Sequence, residues 1–112
     1  MGYRVKLSRA AARDTDEAFQ WLEEKAPERA SSWISGLMDA ALSLENNPDR
    51  CPKAAESPEL GILIRVLLYG KKRGIYRILF LVRPDDEIVL IVRIRHASRD
   101  RLTPEELEEA FE

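Results

Sequence analysis

The sequence predicts an α+β fold: a small antiparallel β-sheet with an N-terminal helical hairpin packed on one face, in the order β-α-α-β-β-β-α. Three observations lead there. Residues 62–96 hold three runs rich in Val, Ile, Leu and aromatics, parted by Gly70–Gly74 and by Pro84-Asp85-Asp86, as a meander of hairpins requires. Ahead of them, 9–25 and 28–46 space their apolar residues at helical intervals. A short alternating segment precedes both. Helices grouped apart from a run of strands place the helices on one side of an antiparallel sheet.

The elements follow in order. Tyr3-Arg4-Val5-Lys6-Leu7 alternates apolar and basic residues, which reads as a half-exposed strand over 3–7. Ser8 is placed to cap a helix over 9–25, whose apolar stripe is Ala11, Thr15, Ala18 and Leu22 with Phe19 beside it. Arg13, Asp14, Asp16, Glu17, Glu23 and Glu24 take its wetter face. Pro27 opens the second helix, striped by Ala30, Trp33, Ile34, Leu37, Ala41 and Leu44. Asn46-Asn47-Pro48 stops it, because Asn accepts a left-handed backbone and Pro cannot continue a helix. Residues 47–61 form a Pro-rich connector too short to link separate domains, so 1–112 reads as one domain. Strands are expected over 62–69, 75–83 and 87–96. Thr103, Pro104 and Glu106 have the spacing of a capping box for a last short helix, 104–111, which is marginal without docking.

Composition narrows the class. The 112 residues are 45% hydrophobic and 34% charged, as in a globular protein. No apolar run approaches the ~18 residues of a membrane span, and the first 25 residues lack the pattern of a signal peptide. Cys51 has no partner for a disulfide, which suits a reducing cytoplasm, and it reads as a filler thiol. One His and one Cys do not assemble a zinc site, and no Gly-rich phosphate loop is present, so no cofactor is expected.

The net charge of −2 conceals an asymmetry. Residues 65–101 hold ten Lys/Arg against four Asp/Glu, and the rest of the chain holds eight against sixteen. A basic sheet on an acidic body points to an anionic partner, either nucleic acid or an acidic peptide. The plain alternative is that strand arginines snorkel to solvent. Both faces of the three strands carry apolar residues, which suggests that something docks opposite the helices. Guanidinium groups with one imidazole suit phosphodiester chemistry. Arg65 and Arg77 would clamp a phosphate and His96 would act as base or acid, with Lys71, Lys72, Arg73, Arg93, Arg95 and Arg99 as further RNA or phosphate contacts. Against this, His96 also reads as a strand-end residue bonded to a loop carbonyl, and Tyr69, Tyr76 and Phe80 as packing.

Several segments together resemble the RelE/ParE superfamily, the plasmid-stabilisation type of toxin from type II toxin–antitoxin systems. They are Ala11-Ala12-Arg13-Asp14, Asn47-Pro48-Asp49-Arg50-Cys51-Pro52, Ile64-Arg65-Val66-Leu67, Gly70 through Tyr76-Arg77-Ile78-Leu79-Phe80, and Val92-Arg93-Ile94-Arg95-His96-Ala97-Ser98-Arg99-Asp100. The resemblance implies a small cytoplasmic growth inhibitor held inactive by a cognate antitoxin that wraps it. It implies mRNA cleavage as the leading mechanism and gyrase inhibition as the alternative. RelE-like members cut mRNA on the ribosome without a metal, and Arg65, Arg77 and His96 match their phosphate contacts and acid/base. ParE-like members poison DNA gyrase without nuclease activity, which the long helices and acidic chain suit. A non-toxic interaction module of the same fold is a third reading. The acidic tail 102–112 is expected to lie near the basic sheet and compete with RNA.

Overall fold

A computed structural model describes residues 2–112. Strand β1 is Arg4–Leu7, and helices α1 (Arg9–Lys25) and α2 (Pro27–Leu42) follow it. Ser8 ties this corner together. Its Oγ accepts from the Ala11 N–H at 3.0 Å, capping α1, and its hydroxyl donates to the Val92 carbonyl at 2.8 Å. The break between the helices falls at Ala26, whose backbone is non-helical at φ −152°, ψ 68°, with Pro27 in the first turn of α2. The second helix stops earlier than its apolar stripe suggests. Residues Ser43–Glu45 tighten into a 3₁₀ turn, and Asn47 takes the left-handed conformation at φ 47° before Pro48.

The 47–61 connector carries more structure than its proline content suggested. It contains a 3₁₀ turn at Pro48–Arg50 and a single helical turn, α3 (Ser57–Leu60). Strand β2 (Arg65–Tyr69) begins three residues later than its alternation indicates. The Ser57 hydroxyl explains the delay: it donates to the Ile62 carbonyl at 2.7 Å and accepts the Ile64 N–H at 3.0 Å, taking that backbone away from a ladder. Strands β3 (Tyr76–Arg83) and β4 (Ile88–His96) complete the sheet, and α4 (Pro104–Glu109) ends the described helices.

The sheet order is β1-β4-β3-β2. Strands β2, β3 and β4 form the antiparallel meander, whereas β1 pairs parallel with β4, from Arg4↔Ile88 to Leu7↔Ile91. A parallel neighbour needs a long crossover, which the helices and connector supply. A β-bulge interrupts β3–β4. Leu79 faces Arg93 but Phe80 faces Ile91, so Val92 is the extra residue. The bulge resets the alternation. Val89, Ile91 and Ile94 point to one face, although simple period two puts Ile94 opposite the other two.

Both faces are covered by the chain itself. On the hairpin face Ala11, Leu37, Ala41 and Leu44 pack on Ile78, Phe80, Val89, Ile91 and Ile94. On the opposite face Ile64, Leu79, Leu81 and Val92 pack under Ala54, Leu102, Leu107 and Ala110. The second apolar face is therefore filled by the connector and the C-terminal segment, and it does not wait for a partner. Each large buried side chain contributes roughly 1.5–3 kcal/mol through lost water contact. Helix α4 is too short to persist alone. It is held by Leu107 and Ala110 below and by a full capping box between Thr103 and Glu106. No described helix is long and apolar enough to cross a membrane.

Candidate functional site

Three arginines in the middle of the sheet, Arg77, Arg93 and Arg95, are neutralised within the fold. Arg77 leaves β3 on the face opposite the hairpin and meets Glu56, which is fully buried. Its Nη1 and Nη2 donate to Glu56 Oε2 at 3.1 Å and Oε1 at 2.6 Å. The same carboxylate accepts the Leu102 N–H at 2.8 Å, so one acid joins the connector, the sheet and the C-terminal segment. Burial opposes ionisation of Glu56. The Arg77 fork and the Leu102 amide outweigh it and hold the carboxyl below its ordinary range.

Arg93 and Arg95 behave alike. Arg93 forks onto Asp14 of α1, with Nε to Oδ2 at 2.8 Å and Nη2 to Oδ1 at 2.9 Å. Asp14 Oδ2 also accepts the Ile94 N–H at 3.0 Å, where β1 has ended and β4 would otherwise show an open edge. The Asp14 partnership raises the Arg93 pKa against the effect of burial. Arg95 is buried and donates Nη2 to Glu106 Oε2 at 2.7 Å and Nη1 to the Asp100 carbonyl at 3.0 Å. Its Nε is without a partner, alone among buried side-chain nitrogens and oxygens of the described residues. Burial works against the Glu106 charge, but Arg95 and the Thr103 amide prevail and bring its carboxyl to about 2. The acidic tail thus lies against the basic sheet as expected, and it does so as a structural ion pair.

Arg65, Arg77 and His96 do not converge. Arg65 stands opposite Phe80 on the hairpin face, and its Nη1 donates to the Cys51 carbonyl at 2.7 Å. Arg77 lies on the other face, opposite Arg95. His96 returns to the hairpin face opposite Tyr76, the two rings 5.3 Å apart edge to face. Four residue steps along β3, from Phe80 to Tyr76, separate the Arg65 and His96 positions, roughly 13 Å along the strand. Both imidazole nitrogens are engaged. Nε2 lies 2.6 Å from the Arg73 carbonyl, which can only accept, so Nε2 carries the hydrogen. Nδ1 then accepts from the Ser98 hydroxyl at 2.7 Å and the Ser98 N–H at 3.0 Å. The ring is used as a clamp on the β2–β3 turn.

That turn is where unpaired charge collects. Lys71, Lys72 and Arg73 are exposed, Arg99 is exposed beside them, and none has an ion-pair partner among the described residues. Of the predicted phosphate contacts, Lys71, Lys72, Arg73 and Arg99 therefore share one cationic end of the molecule, whereas Arg93 and Arg95 are spent internally. The neutralising acids Asp14, Glu56 and Glu106 were missed as partners. A weak signal existed for Glu56, an acid set between Ala54-Ala55 and Ser57. Among the described residues, no group of three or more His, Cys, Asp or Glu is placed to hold a metal ion.

Comparison with known proteins agrees with this architecture. Residues 5–101 match the sequence model of a family described as the ParE toxin of the type II toxin–antitoxin system, parDE. The fold is similar to a chain of the chromosomal ParDE system from P. aeruginosa, at 21% identity and a TM-score of 0.67, covering 84% of this chain and 95% of that one. It is also similar to a chain of the RelBE2 toxin–antitoxin complex from Mycobacterium tuberculosis, at 21% identity and a TM-score of 0.55, covering 88% and 95%. At such identity the two structures speak for the fold. No curated protein matches.

Proposed function

Because the chain belongs to the ParE toxin family of type II toxin–antitoxin systems, we propose that it arrests growth by occupying DNA gyrase, without cutting RNA. The observation that carries this reading is the dispersal of Arg65, Arg77 and His96 over two faces, with Arg77 forked onto the buried Glu56. Metal-free RNA cleavage needs a base, an acid and cations around one phosphate. Here Arg77, Arg93 and Arg95 would each have to abandon a carboxylate before taking up a phosphate, and for Arg77 and Arg95 that leaves a buried charge, Glu56 or Arg95 itself, alone. Occupying a protein target asks only for a rigid surface. The toxin works in the cytoplasm, and its partner is a cognate antitoxin, as the toxin–antitoxin systems of similar fold suggest.

The test pairs two measurements. Arg65→Ala and His96→Ala are expected to keep growth arrest within a few-fold, and the purified chain is expected to inhibit gyrase supercoiling. Loss of a true acid or base would lower activity by ~10²–10⁴-fold. If either variant loses toxicity while binding antitoxin normally, and the RNA of arrested cells gains new 5′ ends inside codons, the nuclease reading replaces this one.

A further inference from the structure

We propose that the cationic end built from Lys71, Lys72, Arg73 and Arg99 is the surface that docks onto an acidic segment of the protein target. This rests on the gyrase reading and names the part of the molecule that would serve it. The first ground is the contrast with the rest of the sheet. Arg77, Arg93 and Arg95 each have a carboxylate within 3 Å, whereas these four cations have none within ion-pair distance among the described residues. The fold neutralises Arg77, Arg93 and Arg95 in the middle of the sheet and leaves this turn bare, as it leaves Arg4 and Arg83 at other strand ends.

The second ground is rigidity. The turn is fixed on three sides. The Gly74 N–H donates to the Lys71 carbonyl at 2.9 Å, the Ala97 N–H donates to the Ile75 carbonyl at 2.8 Å, and His96 Nε2 holds the Arg73 carbonyl. Arg99 is brought alongside because its N–H donates to the His96 carbonyl at 3.0 Å. Gly70 sits at φ 112° with the Gly74 carbonyl against it, so only glycine fits there. Behind the turn the rings of His96, Tyr76, Trp33 and Tyr69 stack edgewise in a row, with neighbouring centroids 5.3–6.2 Å apart. Lys72 holds a left-handed backbone at φ 54°, which Gly or Asn adopts more easily.

The third ground selects the class of partner. A nucleic acid is a long polyanion whose affinity grows with the number of phosphates neutralised. The surface leading away from the turn does not continue the charge. Asp100 follows Arg99 and is exposed, and Arg101 beyond it is paired with Glu59 at 3.4 Å. A compact group of four cations fits a compact cluster of carboxylates on a protein. Exposed charges of this kind act mainly on the rate and selectivity of encounter.

The experiment measures association of the full chain with immobilised gyrase at low and high ionic strength, for the wild type and for K71E/K72E/R73E/R99E. The four side chains are exposed and unpaired, so the variant is expected to fold and to bind antitoxin as before. Its association rate is expected to fall at least tenfold at low salt, with the gap closing at high salt. Lys71→Arg with Lys72→Arg should behave as wild type. If the charge-reversed variant associates as fast as wild type, the docking surface lies elsewhere and the gyrase reading is untouched. If wild type does not bind gyrase, the gyrase reading itself falls. If wild type binds a single-stranded RNA probe more tightly than gyrase and only the RNA binding is lost on charge reversal, a nucleic acid is the partner and this proposal is overturned.

Discussion

Glu106→Gln isolates what a single charge does in holding α4 on the sheet. Gln keeps the size of the side chain and the capping contact of Oε1 with the Thr103 N–H; it removes the negative charge facing Arg95 and Arg93 and sets an amide NH2 where Oε2 accepts from Arg95 Nη2. The Glu106 carboxyl titrates at about 2 in the fold against an ordinary 4.5. A carboxyl shifted that far contributes about 3 kcal/mol to stability once it is ionised in both states. Because the folded value is the lower one, the unfolded chain holds more protons between the two, and stability rises with pH across that window. The contribution is complete above about pH 5 and is lost as pH falls through 4.5 toward 2. Urea unfolding should therefore show the variant about 3 kcal/mol less stable than wild type at pH 7, with the gap closing as pH approaches 2. Arg95 is buried and would be left without its carboxylate, which acts in the same direction. A gap of equal size at pH 7 and at pH 2.5 would show that shape and not charge sets the cost, and would refute the reasoning.

Two further predictions concern the scaffold. Gly36→Ala should cost about 1–3 kcal/mol in chemical denaturation, since the new methyl would press on the Tyr69 hydroxyl that donates to the Trp33 carbonyl at 2.8 Å, and Tyr69→Phe should restore part of the loss. Glu56→Ala should cost about 3–5 kcal/mol by thermal or urea unfolding, because Arg77 and the Leu102 amide would be left in the interior without an acceptor, and Glu56→Ala with Arg77→Met should recover much of it.

The fold was legible where local chemistry agrees with tertiary packing. Ser8 before a helical stripe, Pro27 at the second helix start and Thr103 with Glu106 are short-range signals, and the structure uses all three. The hairpin turns were marked by Gly70, Gly74 and Pro84. What failed to show was long-range. The Val92 bulge moves Ile94 and His96 to the hairpin face, and nothing in the alternation of β4 announces it. The site suffered more. A guanidinium in a strand reads the same whether it meets a phosphate or a carboxylate 79 residues away, as Arg93 meets Asp14. Asp14 itself was assigned to the wet side of α1, where period alone puts it. The charge census was sound, but its cancellation depended on topology.

The parallel pairing of β1 with β4 imposes an order on events during synthesis. Within the sheet, β1 borders β4 alone, and β4 begins at Ile88, more than eighty residues downstream. Until Ile88–Ile91 leave the ribosome, Val5 and Leu7 lack a neighbouring strand, and Ser8 has no Val92 carbonyl to hold. Closing so wide a loop carries its entropy loss before any contact offsets it. A nascent chain of this toxin-family protein leaves its first strand unpaired until β4 has been made.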